Sequence, residues 1–114
     1  MDSDFGALLI YIKYHNADDG VILAMCDSVL IDKVLEEGDV YIDIKNYSEF
    51  YMGDLVDAGQ AKALIDKGSI KAANIIGNEA VDVAIDSDII KQENVSKVNG
   101  IRYAHAYRVN KPGK

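Results

Sequence analysis

The chain has 114 residues, 49% of them hydrophobic and 27% charged, the balance of a folded globular domain and not of a disordered chain. No apolar run approaches the ~18 residues a membrane helix needs. The acidic start Met1-Asp2-Ser3-Asp4 is unlike a secretory leader, and the single cysteine, Cys26, excludes an intramolecular disulfide and a cysteine-rich zinc site. These features predict one soluble cytoplasmic domain over residues 1–109, followed by a flexible tail at 110–114.

The formal charge is −7, but it is unevenly spread. From residue 95 onward the charged residues are Lys97, Arg102, Arg108, Lys111 and Lys114, with no acid among them, so this segment carries +5 and residues 1–94 carry −12. An acidic body does not track a phosphate backbone over its whole surface. A local basic edge on it can still meet nucleic acid or an acidic partner.

Residues 6–14 read as a first strand, apolar on both faces by period-2 alternation, with Leu8, Ile10, Ile12 and Tyr14 on one side. Residues 15–20 form a turn by composition, and 21–26 return as the second arm of a hairpin. A short helix is expected next, capped by Asp27 or Ser28, carrying Val29, Leu30, Val34 and Leu35, and stopped by Gly38. Residues 39–45 alternate as a strand. Residues 46–56 fit either a strand or an ordered loop. Asp57-Ala58-Gly59-Gln60 has the pattern of a capping box opening a helix over 58–67. Residues 72–76 are a buried strand broken by Gly77 and Asn78, and 79–85 a helix capped by Asn78, with 86–90 as a further turn. Segments 95–98 and 101–109 flank Asn99-Gly100, the dipeptide of a tight hairpin turn. The expected fold is α+β: a mixed sheet of five to six strands, hairpins at both ends and about three short helices.

Several segments carry a family likeness in their order and spacing. They are Ile10-Tyr11-Ile12-Lys13-Tyr14-His15, Ala24-Met25-Cys26-Asp27, Leu35-Glu36-Glu37-Gly38-Asp39, Phe50-Tyr51-Met52-Gly53-Asp54-Leu55-Val56, Ala73-Asn74-Ile75-Ile76-Gly77-Asn78-Glu79-Ala80-Val81 and Asn99-Gly100-Ile101. Over residues 9–109 the chain resembles the archaeal family known as domain of unknown function 424. The resemblance implies an archaeal cytoplasmic protein without an established activity, from a family associated with translation genes in some genomes. Family members usually carry proline and histidine after the last glycine-aliphatic pair. This chain has Arg102 and Tyr103 there, with His105 nearby.

Two regions are candidate sites. The first is the strand-to-helix turn with Asn74, Gly77 and Asn78, where free backbone N–H groups at a helix start can hold an anion. It lacks the glycine spacing and lysine of a phosphate loop, and the plainer reading is a tight turn. The second is the last hairpin. Tyr103, His105 and Tyr107 share one face of its strand and Arg102 and Arg108 the other, with Lys97 on the partner strand. Aromatic residues beside basic ones can stack nucleotide bases. Cys26 reads as a buried, inert thiol. If His15 and Gly20 bracket the turn, Cys26 faces Leu9, about six residues or ~20 Å from His15.

The expected function is that of a non-enzymatic accessory module binding the ribosome, RNA or a translation factor through Lys97, Arg102, Tyr103, His105, Tyr107 and Arg108. The alternative is a small-ligand or anion site, or an enzyme, at Asn74, Gly77 and Asn78. A plainer third option is self-association through an exposed sheet edge. No residue is assigned a catalytic role, and no metal or cofactor is expected.

Overall fold

β1 (Ile10–Ala17) and β2 (Gly20–Asp27) are long antiparallel strands joined by a two-residue turn of Asp18 and Asp19. The structure, a computed structural model, describes residues 8–107. β3 (Val34–Glu37) and β4 (Val40–Asp43) form a separate small hairpin. A single turn, α1 (Ser48–Tyr51), leads to β5 (Asp54–Val56), and α2 (Ala58–Leu64) then connects to β6 (Ile70–Ile76). α3 (Asn78–Asp86) precedes the final hairpin of β7 (Ser96–Val98) and β8 (Ile101–Tyr107). Among the described residues the main sheet has six strands in the order β5-β1-β2-β6-β8-β7, of which only β2 and β6 run parallel. This is an α+β fold with a mixed sheet and three short helices. Among the described residues no helix is long and apolar enough to cross a membrane.

The alternation along each strand sorts the sheet into two faces. Ile10, Ile12, Leu23, Met25, Ala73, Ile75 and Ala104 face the helices and form the larger core with Ala61 of α2 and Ala80, Val81, Val83 and Ala84 of α3. Each large aliphatic side chain removed from water here contributes roughly 1.5–3 kcal/mol. The opposite face carries Ala24, Cys26 and Ile76, covered by Leu35, Ile44 and Tyr51 from the β3–β4 hairpin and α1. That cover is partial, and it leaves a cleft.

Residues 28–38 are not the expected helix. Ser28–Leu30 make one tight turn, and the chain then extends into β3. Val29 and Val34 are exposed, so the apparent helical stripe buries only Leu30 and Leu35. Gly38 has φ +59° because it turns a β-hairpin at Asp39. A glycine in the left-handed region ends a helix or turns a hairpin equally well, and here β-branched Val34 and Val40 favour strands.

Other boundaries shift. β1 runs three residues further than expected, to Ala17, so the β1–β2 register moves by two and Cys26 faces Tyr11 instead of Leu9. Residues 46–56 become α1 and β5. α2 ends at Leu64, with Ile65 already extended, and β6 begins at Ile70. The capping box is present: Gln60 N–H donates to Asp57 Oδ1 at 2.8 Å and Asp57 N–H donates to Gln60 Oε1 at 3.0 Å. Asn99 and Gly100 both have positive φ, as the hairpin turn requires. The tail at 110–114 and the expected strand end at 108–109 lie outside the described residues.

Candidate functional site

The amides at the start of α3 already hold an anion, and it belongs to the protein. Asp27, the last residue of β2, is 8% exposed, and its carboxylate accepts Glu79 N–H at 3.0 Å and Ala80 N–H at 2.8 Å. Gly77, at φ +115°, has no side chain to cap the helix. A Cβ there would lie 2.6 Å from both Asp27 oxygens. Burial pushes the Asp27 carboxyl up from its ordinary value, against the two amides that favour its charged form.

Asn78 does not cap α3 either. Its Oδ1 accepts from Arg102 N–H at 3.1 Å and from Arg102 Nε at 3.0 Å. The Gly77–Asn78 turn, the alternative candidate for an anion site, is thus filled by Asp27 and Arg102, because β2 and β8 flank β6 and bring both side chains to its end.

Arg102 is correspondingly committed. One guanidinium nitrogen donates to the Asn78 carbonyl at 2.9 Å and to Asp82 Oδ1 at 2.8 Å. Its side chain is only 24% exposed. It straps β8 to α3 and is not the free cation expected of a nucleic-acid contact. Lys97 is exposed on β7, and Arg108 lies outside the described residues. Tyr103 is half-buried against the smaller core, its ring edge-on to His105 at 6.0 Å. His105 is exposed, and Tyr107 is 80% exposed.

The remaining residues converge elsewhere. Asn74 and His105 are direct partners across β6 and β8 on the partly covered face. They lie in a cleft of about 380 Å³ whose walls include Tyr41 of β4, Tyr47 and Phe50. Tyr41 is 61% and Tyr47 67% exposed. The Asn74 amide and the His105 imidazole make no side-chain hydrogen bond among the described residues. The floor therefore offers an amide donor, an amide acceptor and an imidazole between aromatic rings.

The walls are pinned in place. His15 Nε2 donates to the Phe50 carbonyl at 2.8 Å, and the two rings stack at 4.3 Å and 10°. Lys13 Nζ donates to the Glu49 carbonyl at 2.7 Å. On the other side Asn99 N–H donates to Glu37 Oε1 at 2.6 Å, tying the β3–β4 hairpin to the last one.

Asn74 and His105 were expected to serve two different sites, and the structure puts them in one. Tyr41, Tyr47 and Phe50 were not expected at the site. Their only signal in the sequence is the density of aromatic residues between 41 and 51.

Cys26 is buried, and desolvation, helped by the nearby Asp27 charge, pushes its thiol up to about 12. Its sulfur donates to the Asp27 carbonyl at 3.3 Å. A thiol so protonated is a packing group and no nucleophile. Among the described residues, no three or more His, Cys, Asp or Glu side chains gather to hold a metal ion.

Comparison with known proteins adds the family and the fold. No curated protein matches the chain. A crystal structure of an uncharacterized conserved protein from Methanopyrus kandleri is similar over 93% of this chain and 96% of that one, with 20% identity and a TM-score of 0.75. At that identity the likeness establishes the shared fold. The family model described as "Protein of unknown function (DUF424)" matches residues 14–109, and the chain belongs to that family.

Proposed function

We propose that the protein is a non-enzymatic cytoplasmic accessory module that binds single-stranded RNA through the open face of its sheet, with an archaeal translation setting as the context. The observation that carries this reading is the pairing of Asn74 with His105, both without side-chain hydrogen bonds, on the floor of an aromatic-walled cleft. Unstacked bases are bound by aromatic rings and read by hydrogen bonds on their edges. An Asn amide supplies the adjacent donor and acceptor that such an edge requires. The exposed Tyr107 extends this surface along β8, and Lys97, on the edge strand β7, shares the Arg102 face, so its long side chain meets RNA only at the sheet edge. Arg108, Lys111 and Lys114 follow β8 in sequence and keep positive charge at this end of an otherwise acidic chain.

The acidic body sets the character of the binding. Few phosphates can be neutralised, so stacking supplies most of the affinity and the salt dependence is shallow. Fluorescence anisotropy with single-stranded and duplex RNA, together with co-sedimentation with ribosomal subunits, tests the proposal. Single strands should bind in preference to duplex. Tyr47→Ala and His105→Ala should each weaken binding, the tyrosine change by about 1–3 kcal/mol, the value of one stacked base. Unchanged affinity in both variants, or a preference for duplex, would overturn it.

A further inference from the structure

The outer edge of β1 is only half covered. β5 has three residues and pairs with Ile10, Tyr11 and Ile12 alone. The chain then departs, because Gly53 passes directly over the Ile12 carbonyl. A Cβ on Gly53 would clash with that oxygen and lie 2.9 Å from Lys13 Cβ. Since the Ile12 carbonyl faces outward, and outward-facing backbone groups recur at every second residue, Tyr14 and Asn16 present their N–H and C=O groups to the bare edge. No strand of the described residues pairs with them there.

A groove of about 320 Å³ runs beside this edge, lined by Ile12, Tyr14, Gly53, Asp54 and Leu64 among others. Tyr14 and Leu64 are 37% and 43% exposed, so the groove has an apolar side. The Tyr14 hydroxyl donates to the Leu64 carbonyl, which holds the end of α2 against β1. Exposed carboxylates surround it. Asp54 lines the groove, Asp66 lies near the Tyr14 hydroxyl, whose pKa is raised chiefly by burial and further by that charge, and Asp18 stands at the end of β1. Lys13 also lines the groove, but its ammonium is turned to the Glu49 carbonyl.

We infer that the β1 edge from Tyr14 to Ala17 is a docking site for an extended, basic segment of a protein partner, which adds a seventh strand to the sheet. Backbone groups supply the hydrogen bonds in such strand addition, and the groove takes alternate side chains. Charge selects the occupant. A second copy of this chain would bring the same carboxylates, on a body of net charge −7, against one another. A strand alternating apolar residues with Lys or Arg would instead fill the groove and neutralise Asp54 and Asp66. This surface is separate from the RNA-binding cleft and stands or falls without it.

The test uses three fluorescein-labelled hexapeptides: Arg-Val-Lys-Val-Arg-Val, its counterpart with Glu in place of each basic residue, and a basic version with proline at the fourth position. Binding is read by anisotropy and by amide hydrogen exchange. The basic peptide should bind, slow exchange at Tyr14 and Asn16, and compete with no RNA. Asn16→Pro removes one outward N–H on an edge strand, where proline is tolerated. It should weaken the peptide by about tenfold, the worth of one good hydrogen bond. Asp54→Lys should weaken it as well, and it reads the charge argument independently should the proline variant misfold. Equal binding of the acidic peptide, protection elsewhere than β1, or a concentration-dependent dimer protecting the same two amides would overturn the inference.

Discussion

The carboxylate of Asp27 stands where a side chain on residue 77 would have to be. Residue 77 is glycine, at φ +115°, with both Asp27 oxygens 2.6 Å from the position of its missing Cβ. Gly77→Ala should therefore destabilise the fold through both strain, about 1–3 kcal/mol for such a backbone, and collision with Asp27. The two causes separate in a double-mutant cycle. Asp27→Ala alone should cost about 1–3 kcal/mol by leaving the buried Ala80 amide and the half-buried Glu79 amide unpaired. Gly77→Ala should cost less in the Asp27→Ala background than in the wild type. Urea unfolding of the four proteins gives the coupling, and strict additivity would show that the two residues do not collide.

The same carboxylate predicts a pH dependence of definite sign. Burial raises its pKa in the folded protein above the unfolded value, and the two amide hydrogen bonds do not fully offset it. Folding then favours the protonated form, so this group's contribution is fully present below the unfolded pKa and is lost as pH rises through the folded one. Asp27→Asn keeps an oxygen acceptor without the charge. Lowering the pH from about 7 to about 4.5 should stabilise wild type relative to Asp27→Asn. Urea midpoints of the two proteins at both pH values check this, and the opposite trend would mean that the amides dominate the site.

Cys26 should be silent in the folded state. Its thiol is buried and pushed up to about 12, and the thiolate is the reactive form. Labelling with Ellman's reagent near pH 8 should proceed only at the rate of unfolding and go to completion in urea. Rapid labelling of folded protein would place the thiol at the surface.

What the sequence reveals here is what is local. The capping box of Asp57 and Gln60 and the Asn99-Gly100 turn are each written within four residues, and both form as expected. Strand alternation gives the two faces of β1 and β8. Long-range pairing is not written that way. The cap of α3 comes from Asp27, 52 residues away from Glu79, and nothing near Gly77 announces it. Arg102 looks free in a run of basic residues, yet its partners Asn78 and Asp82 belong to another element. The cleft is hidden for the same reason. Asn74 and His105 meet only because β6 and β8 are neighbours, and although alternation marks residues 39–45 as a strand, nothing local says that it and residues 47–50 fold over that face.

Arg102 and Lys97 are opposite each other across β7 and β8, and the structure predicts opposite consequences for changing them. Arg102 makes four hydrogen bonds, one by its backbone and three by its guanidinium, to Asn78 and Asp82. Lysine cannot reproduce that fork. Arg102→Lys should cost about 1–2 kcal/mol of stability, most of it from the hydrogen bonds to Asn78. The ion pair with the exposed Asp82 adds little. RNA affinity of the folded fraction, and its salt dependence, should be unchanged. Lys97→Ala should do the reverse: leave the urea midpoint where it is, and reduce the slope of log affinity against log salt by about 1, the signature of one lost phosphate contact. Measuring both quantities for both variants distinguishes a strap from a contact. A lowered RNA affinity in Arg102→Lys with no loss of stability would return Arg102 to the binding surface and show that its bonds to α3 open when RNA binds.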